Sequence, residues 1–280
     1  MVNQKDRSVE QSMMLSKNAR YLLTAFMGVG LAFIYVPLII VVINSFNASK
    51  TFSWPPSNLT LNWWSKAIAN TGVREALGWS VIAGVSATLI ALTLGTALAF
   101  AVARYEFFGR EAISLLVVLP ISLPGIITGL ALNNAFTQTL GIGTSAFTII
   151  VGHATFCIVI VYNNAIARLK RLGTSLQEAS MDLGANGFTT FRLITLPNIS
   201  SALFAGGLLA FGLSFDEIVV TTFTAGPGIQ TLPVWIFNNL FRPNQAPIVN
   251  VVATILIVLF IFPVWLSQRL SQDSAGGGRL

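Results

Sequence analysis

Six apolar runs, at residues 21–43, 77–103, 113–136, 145–167, 199–223 and 247–266, occupy most of this chain and rule out a water-soluble core. A helix needs about 20 apolar residues, at a rise of 1.5 Å each, to cross a hydrocarbon layer about 30 Å thick, and each run meets that length. Charge is confined almost wholly to the segments between them, as expected where an ion in hydrocarbon costs a few kcal/mol or more. With 54% hydrophobic and only 9% charged residues and a mean hydropathy of +0.74, too little polar surface exists to cover a 280-residue globule in water. The expected fold is all-α, a polytopic membrane protein with six transmembrane helices. A soluble enzyme is excluded.

The net charge of +6 would suit a nucleic-acid binder only if a soluble domain concentrated it, and the sequence contains none. Counting Lys and Arg in alternate loops puts 12 on one side and four, Lys50, Lys66, Arg74 and Arg242, on the other. The positive-inside bias then predicts cytoplasmic N and C termini. The first run exceeds the short core of a cleaved signal and reads as a retained helix. The expected organisation is a cytoplasmic tail over 1–20, a transmembrane domain over 21–270 with a cytoplasmic loop over 168–198, and a flexible tail over 271–280. Pro120 and Pro124 predict a kink or break in the third run. Phe52, Trp54, Trp63 and Trp64, around Pro55 and Pro56, suit a membrane interface in the first outside loop.

The loop 168–198 is long and polar in a chain that otherwise minimises such segments. Ser175-Leu176-Gln177-Glu178 fits a capping box, with Ser175 as the N-cap, so a short helix should start there. Leu176, Ala179 and Leu183 recur at helical spacing, with Gln177, Ser180 and Asp182 facing away, and Gly184 suits a left-handed end. A short turn over 188–194 should precede the fifth span, opened by Leu196-Pro197. Pattern alone leaves two roles open for this amphipathic helix: lying on the bilayer surface or docking a partner.

Asp216 and Glu217 are the acids inside an expected span, and an intramembrane carboxylate is a functional candidate by default. They fall roughly 25 to 27 Å from the inner end of a helix starting at residue 199, in the outer part of the span. Adjacent helical residues point about 100° apart, so one acid could face a pathway while the other pairs elsewhere. Anchoring at the interface, or hydrogen bonding to Thr221 and Thr222, is the competing reading. Asn133, Asn134, Tyr162, Asn163 and Asn164 could line the same path or stabilise helix packing. His153 is the one histidine and Cys157 the one cysteine, which excludes a multi-histidine metal site and an intrachain disulfide.

Glu178-Ala179-Ser180, then Gly184, then Ile194-Thr195-Leu196-Pro197, resembles the EAA signature of permease subunits of binding-protein-dependent ABC importers, with Ser180 in place of the second Ala. The aromatic first loop, the Leu-Pro-rich third run and Leu213-Ser214-Phe215-Asp216-Glu217 resemble the C-type permeases of spermidine/putrescine importers. The resemblance implies a type I importer fold in the bacterial inner membrane, with Glu178, Ala179, Ser180, Asp182 and Gly184 coupling to a separate ATPase dimer. It also implies a second permease subunit and an extracytoplasmic substrate-binding protein as partners, with polyamines as substrate. No phosphate-cradling Gly-x-x-x-x-Gly-Lys-Ser/Thr run occurs, so no cofactor is expected in this chain, and ATP and Mg would be bound by the ATPase partners. Asp216, Glu217, Asn134, Tyr162 and Asn163 are the expected substrate pathway. Another organic cation or amine is the alternative cargo. An ion-driven secondary transporter is the alternative mechanism, but it would leave the loop helix idle. A membrane-embedded enzyme would need more acids and histidines at one membrane face than this chain has.

Overall fold

The computed structural model describes residues 16–50, 54–242 and 244–276, with side chains as far as residue 261. Tail residues 1–15, Phe52 and the end of the expected C-terminal tail at 277–280 lie outside the described residues. The chain divides into two compact units, Asn70–Asn239 and a second made of Met1–Ala69 with Leu240–Leu280.

In the second unit, helix α1 (Lys17–Ser45) is apolar and exposed along nearly its whole length, with only Asn44 and Ser45 buried at its end. The chain then turns back through a bridge between Asn47 and Leu59 into α2 (Asn62–Ala69). The tryptophans expected at an interface fasten this turn: Trp63 Nε1 donates to the Asn47 carbonyl at 3.1 Å and Trp64 stacks on Phe46 with ring centroids 5.2 Å apart.

In the first unit, α3 (Thr71–Arg104) carries its small residues inward. Ala76, Ser80, Ala83, Gly84, Ala87, Thr88, Ala91, Gly95, Thr96 and Ala99 are buried, while Leu77, Ile82, Val85, Leu89 and Leu94 on the same helix are exposed. This inverts the order of a soluble helix and has a physical cause: lipid is as apolar as leucine, so helices associate by close backbone approach over small side chains. The stripe packs against α6 (Ala146–Arg171) and α8 (Gly187–Phe215), forming one cluster around Ala87, Ala91, Cys157 and Ala210 and another around Ala99, Tyr162, Ala165 and Ile199. At the closest point a Cβ on Gly95 would lie 3.0 Å from the Ile158 carbonyl oxygen, and one on Gly206 would lie 3.2 Å from Asn164 Cβ.

The third expected span is broken at Pro124, one of the two prolines expected to kink or break it, while Pro120 stays inside a helix. Helix α4 (Arg110–Ser122) ends before Leu123-Pro124, and the chain leaves at 107° as α5 (Gly125–Asn134), which runs on through a π-helical turn to Thr139. Proline offers no amide hydrogen and clashes with the preceding turn, which disfavours a continuous helix through Pro124. The fifth expected span, 199–223, is also corrected. Its helix begins upstream at Gly187, includes the expected short turn after residue 188 without interruption, and stops at Phe215 before a separate α9 (Val219–Thr224).

Helix α10 (Leu232–Asn239) follows, held to α3 by the Leu232 amide donating to Ser80 Oγ at 2.7 Å. In the other unit, α11 (Ala246–Gly276) packs on α1 and α2 and continues through Ser271, so the expected flexible tail is helical as far as Gly276. Among the described residues, α1, α3, α6 and α8 are long and apolar enough to cross a bilayer, and α4 with α5 makes a fifth crossing if the bent pair is one span. The described apolar part of α11 is Ala246–Ile261.

Candidate functional site

The loop after α6 contains the expected short helix, α7 (Ser175–Asp182), but it starts differently from the expected capping box. Thr174 holds the N-cap position, its carbonyl accepting from the Gln177 and Glu178 amides at 2.9 and 3.0 Å, and Ser175 is already inside the helix. Gln177 then stands where a reciprocal cap would reach back, yet its Nε2 donates instead to Thr195 Oγ1 on α8 at 2.7 Å. The cap is forgone for a tether between helices. The C-terminal end follows the sequence: Gly184 has φ +88°, its amide reaches the Met181 carbonyl at 2.8 Å, and the Ala185 amide reaches Ser180 at 3.1 Å. These paired bonds satisfy carbonyls that a helix end otherwise leaves open.

Two faces of α7 differ from expectation, while Asp182 is exposed as expected. Gln177 and Ser180, expected to point away, hold the helix to the body of the protein, Ser180 Oγ lying 3.1 Å from Thr190 Oγ1. The apolar residues are left exposed: Leu176 is 53% exposed, Met181 52%, Leu183 90% and nearby Phe188 72%. Leu176 and Met181 flank the tethered side, Met181 lining a cavity beneath it, and Leu183 stands in the open at the helix end, so apolar surface is left uncovered around the tether. Glu178, Ala179 and Asp182 are exposed as well. Between α7 and the ends of α3 and α8 is a cavity of about 210 Å³, lined by Arg104, Tyr105, Glu178, Met181, Phe191 and Thr195. Helix α7 is thus held at two polar points over a space, without a packed core beneath it.

Arg104, at the end of α3, supports this loop from below. Its Nη2 donates to the carbonyls of Leu169 at 3.3 Å and Gly173 at 2.9 Å, closing the C-terminal end of α6. That end also carries Arg168, Lys170 and Arg171, the sign that a helix C-terminus favours. The sequence pattern marks Gln177 only as a residue facing away and Arg104 only as one of the loop charges. A lone arginine ending a span is a common pattern, and nothing in the sequence tells that its fork reaches the last turn of α6 and Gly173, 65 and 69 residues away.

Asp216 and Glu217 lie in the break between α8 and α9, where the expected continuous helix is absent. Glu217 is committed locally: its Oε1 accepts from the Val220 amide at 2.8 Å, a carboxylate at a helix start where unpaired amides favour negative charge. Its backbone carbonyl accepts from Thr221 Oγ1 at 2.7 Å. Asp216 is exposed. Of the other pathway residues, Asn134 and Asn163 are exposed, whereas Tyr162 is 3% exposed with its hydroxyl donating to Ser114 Oγ at 3.2 Å. Asn133 Nδ2 donates to the Phe223 carbonyl of α9 at 2.6 Å. Tyr162 and Asn163 do not gather with the acids. His153, which touches the two sides of the acid-bearing break, precedes Asn163 by ten residues on α6, or about 15 Å along the axis.

Long apolar helices packed through small residues, one of them broken beside carboxylates, with a short tethered helix at one end, define a multi-pass membrane protein. Residues 91–274 match the family described as binding-protein-dependent transport system inner membrane component. The chain is 34% identical over 259 residues to the spermidine/putrescine transport system permease protein PotC of Escherichia coli strain K12, covering 92% of this chain and 97% of that one. It is 35% identical over 235 residues to the putrescine transport system permease protein PotI of the same strain, covering 81% and 83% respectively. A chain from a crystal structure of a bacterial ABC transporter involved in the import of the acidic polysaccharide alginate superposes with a TM-score of 0.69 at 16% identity, over 93% of this chain and 98% of that one. The chain belongs to the family of inner membrane components of binding-protein-dependent transport systems, and it has the fold of ABC importer permeases.

Proposed function

We propose that this chain is one of two permease subunits of an ATP-driven importer of polyamines, putrescine or spermidine, and that α7 seats in a separate ATPase. The observation that carries the coupling role is the uncovered apolar surface of α7, half-exposed Leu176 and Met181 and open Leu183, on a helix tethered by two polar contacts over a cavity. The reading places six spans in the bacterial inner membrane, with both termini and α7 cytoplasmic. A second permease completes the channel, an external binding protein delivers the substrate, and ATP with Mg²⁺ binds in the ATPase dimer. Closure of that dimer pushes α7 against Thr190 and Thr195, and α8 carries the displacement to the break at Asp216. Supporting the substrate class are the two polyamine permease relatives and a carboxylate in the outer part of the membrane. A carboxylate there replaces part of the water that an entering ammonium loses. The alginate transporter shares this fold and takes an acidic cargo, so the fold does not choose the substrate and the side chains must.

The two acids are expected to behave unequally. Asp216→Asn should lower labelled putrescine uptake by about tenfold or more at equal complex levels, since a charge-assisted hydrogen bond contributes about 1.5–3 kcal/mol. Glu217→Gln should cost less, because an amide oxygen can still accept from the Val220 amide. Uptake unchanged in both variants would remove the acids from substrate contact.

A further inference from the structure

Between α6 and the α8–α9 break lies a buried polar cluster that the transport reading does not use. His153 is 0% exposed, with Nδ1 at 2.7 Å from Ser214 Oγ in the last turn of α8 and Nε2 at 2.8 Å from Thr221 Oγ1 on α9. One imidazole therefore holds both sides of the break that carries Asp216 and Glu217. Next to it, Gly152 lets α9 lie against the α6 backbone: a Cβ there would meet Val220 Cγ1 at 3.3 Å and Thr224 Cγ2 at 3.4 Å. Thr148 Oγ1, one turn toward the start of α6, lies 2.7 Å from the Thr224 carbonyl oxygen it donates to.

The tautomer follows from proton counting. Thr221 Oγ1 has one hydrogen, and it lies 2.7 Å from the Glu217 carbonyl oxygen, which can only accept. That hydroxyl can therefore offer the ring only a lone pair, and Nε2 must carry the hydrogen. In the neutral ring Nδ1 is then bare and accepts from Ser214. A serine in a helix commonly turns to the carbonyl one turn back, but here that carbonyl, Ala210, accepts from Cys157 Sγ at 3.3 Å. Cys157 stands one turn from His153 on α6, as Ala210 stands one turn from Ser214 on α8. The two helices are thus joined by polar contacts a turn apart.

We infer that His153 is a positioning residue: as the neutral tautomer protonated on Nε2, it clamps Ser214 to Thr221 through α6 and so fixes the turn that presents Asp216. Through Thr221 it also fixes the Glu217 carbonyl. The effect on transport rests on the proposed contact between Asp216 and substrate; the tautomer does not. The leucine isostere removes both bonds, whereas glutamine offers a donor and an acceptor at a spacing close to that of the two ring nitrogens.

Two experiments test the clamp. This is the only histidine in the chain, so the full-length protein with ¹⁵N-histidine and a histidine-free affinity tag, in lipid nanodiscs, gives a single imidazole spectrum. The expected result is a protonated Nε2 and a bare Nδ1; a ring protonated on Nδ1, alone or with Nε2, overturns the inference. In the complete transporter at equal complex levels, His153→Leu should slow putrescine uptake about tenfold and His153→Gln should stay within about threefold. Combining His153→Leu with Asp216→Asn should be no worse than the slower single variant, because the clamp acts through that turn. Equal loss with Leu and Gln, or independent losses that multiply in the double variant, overturns the clamp. If Asp216→Asn alone leaves uptake unchanged, the substrate contact fails and the spectrum still decides the clamp.

Discussion

Leu176→Glu combined with Leu183→Glu is expected to reduce ATP-dependent uptake about 100-fold or more while the protein still accumulates in the membrane. Burying an exposed leucine contributes about 1.5–3 kcal/mol, and each 1.4 kcal/mol is a factor of ten in affinity. Two leucines replaced by carboxylates lose that burial and add desolvation of two charges in an apolar seat. Leu183 is almost fully exposed and Leu176 half exposed, and the tethers that hold α7 are those of Gln177 and Ser180, so most of the loss is expected outside the fold of this chain. Co-purification of the ATPase separates the two effects. It should be lost in the double variant, and retained co-purification with normal uptake would show that the apolar face of α7 is not the seat.

A second large effect is expected at the crossing of α3 and α6. Gly95→Leu should abolish accumulation of the folded protein. A Cβ on Gly95 would already stand 3.0 Å from the Ile158 carbonyl oxygen, 3.1 Å from Val161 Cβ and 3.2 Å from the Tyr162 amide nitrogen, and the remaining leucine atoms have no space between the helices. Overpacking a formed core costs about 1–3 kcal/mol when side chains can yield, and here two of the three obstacles are backbone. Gly78→Leu on the same helix is the control, because nothing lies within 4 Å of its Cβ position. Fluorescence-detected size-exclusion chromatography should show the Gly78 variant intact and the Gly95 variant lost; equal profiles would mean that α3 and α6 do not meet through Gly95.

Much of the helical plan was legible because hydrocarbon imposes a length and an apolar composition that a sequence cannot hide. Pro124 broke its span as expected, since a missing amide hydrogen is a local property. The end of α8 was not legible. Leu213-Ser214-Phe215 continues an apolar run in the sequence, and the contacts found around its end are to a histidine 61 residues before Ser214 and 68 before Thr221. The faces of α7 were misjudged for a related reason. Periodicity separates polar from apolar residues, but it assigns the apolar side inward, a rule that holds for a chain folding alone. Gln177 and Ser180 turn inward here because Thr195 and Thr190 of α8 offer hydroxyls, and these contacts cross 18 and 10 residues of sequence. Tyr162 looked like a pathway residue by composition, yet Ser114 on α4 takes its hydroxyl.

Thiol labelling of Leu183→Cys tests the central claim most directly, because the native Cys157 is 0% exposed and leaves little background. In oriented membrane vesicles, a membrane-impermeant maleimide should reach residue 183 only from the cytoplasmic face, and added ATPase subunits should block the reaction. Labelling from the outside, or a rate on the cytoplasmic face that the ATPase leaves unchanged, would contradict the account.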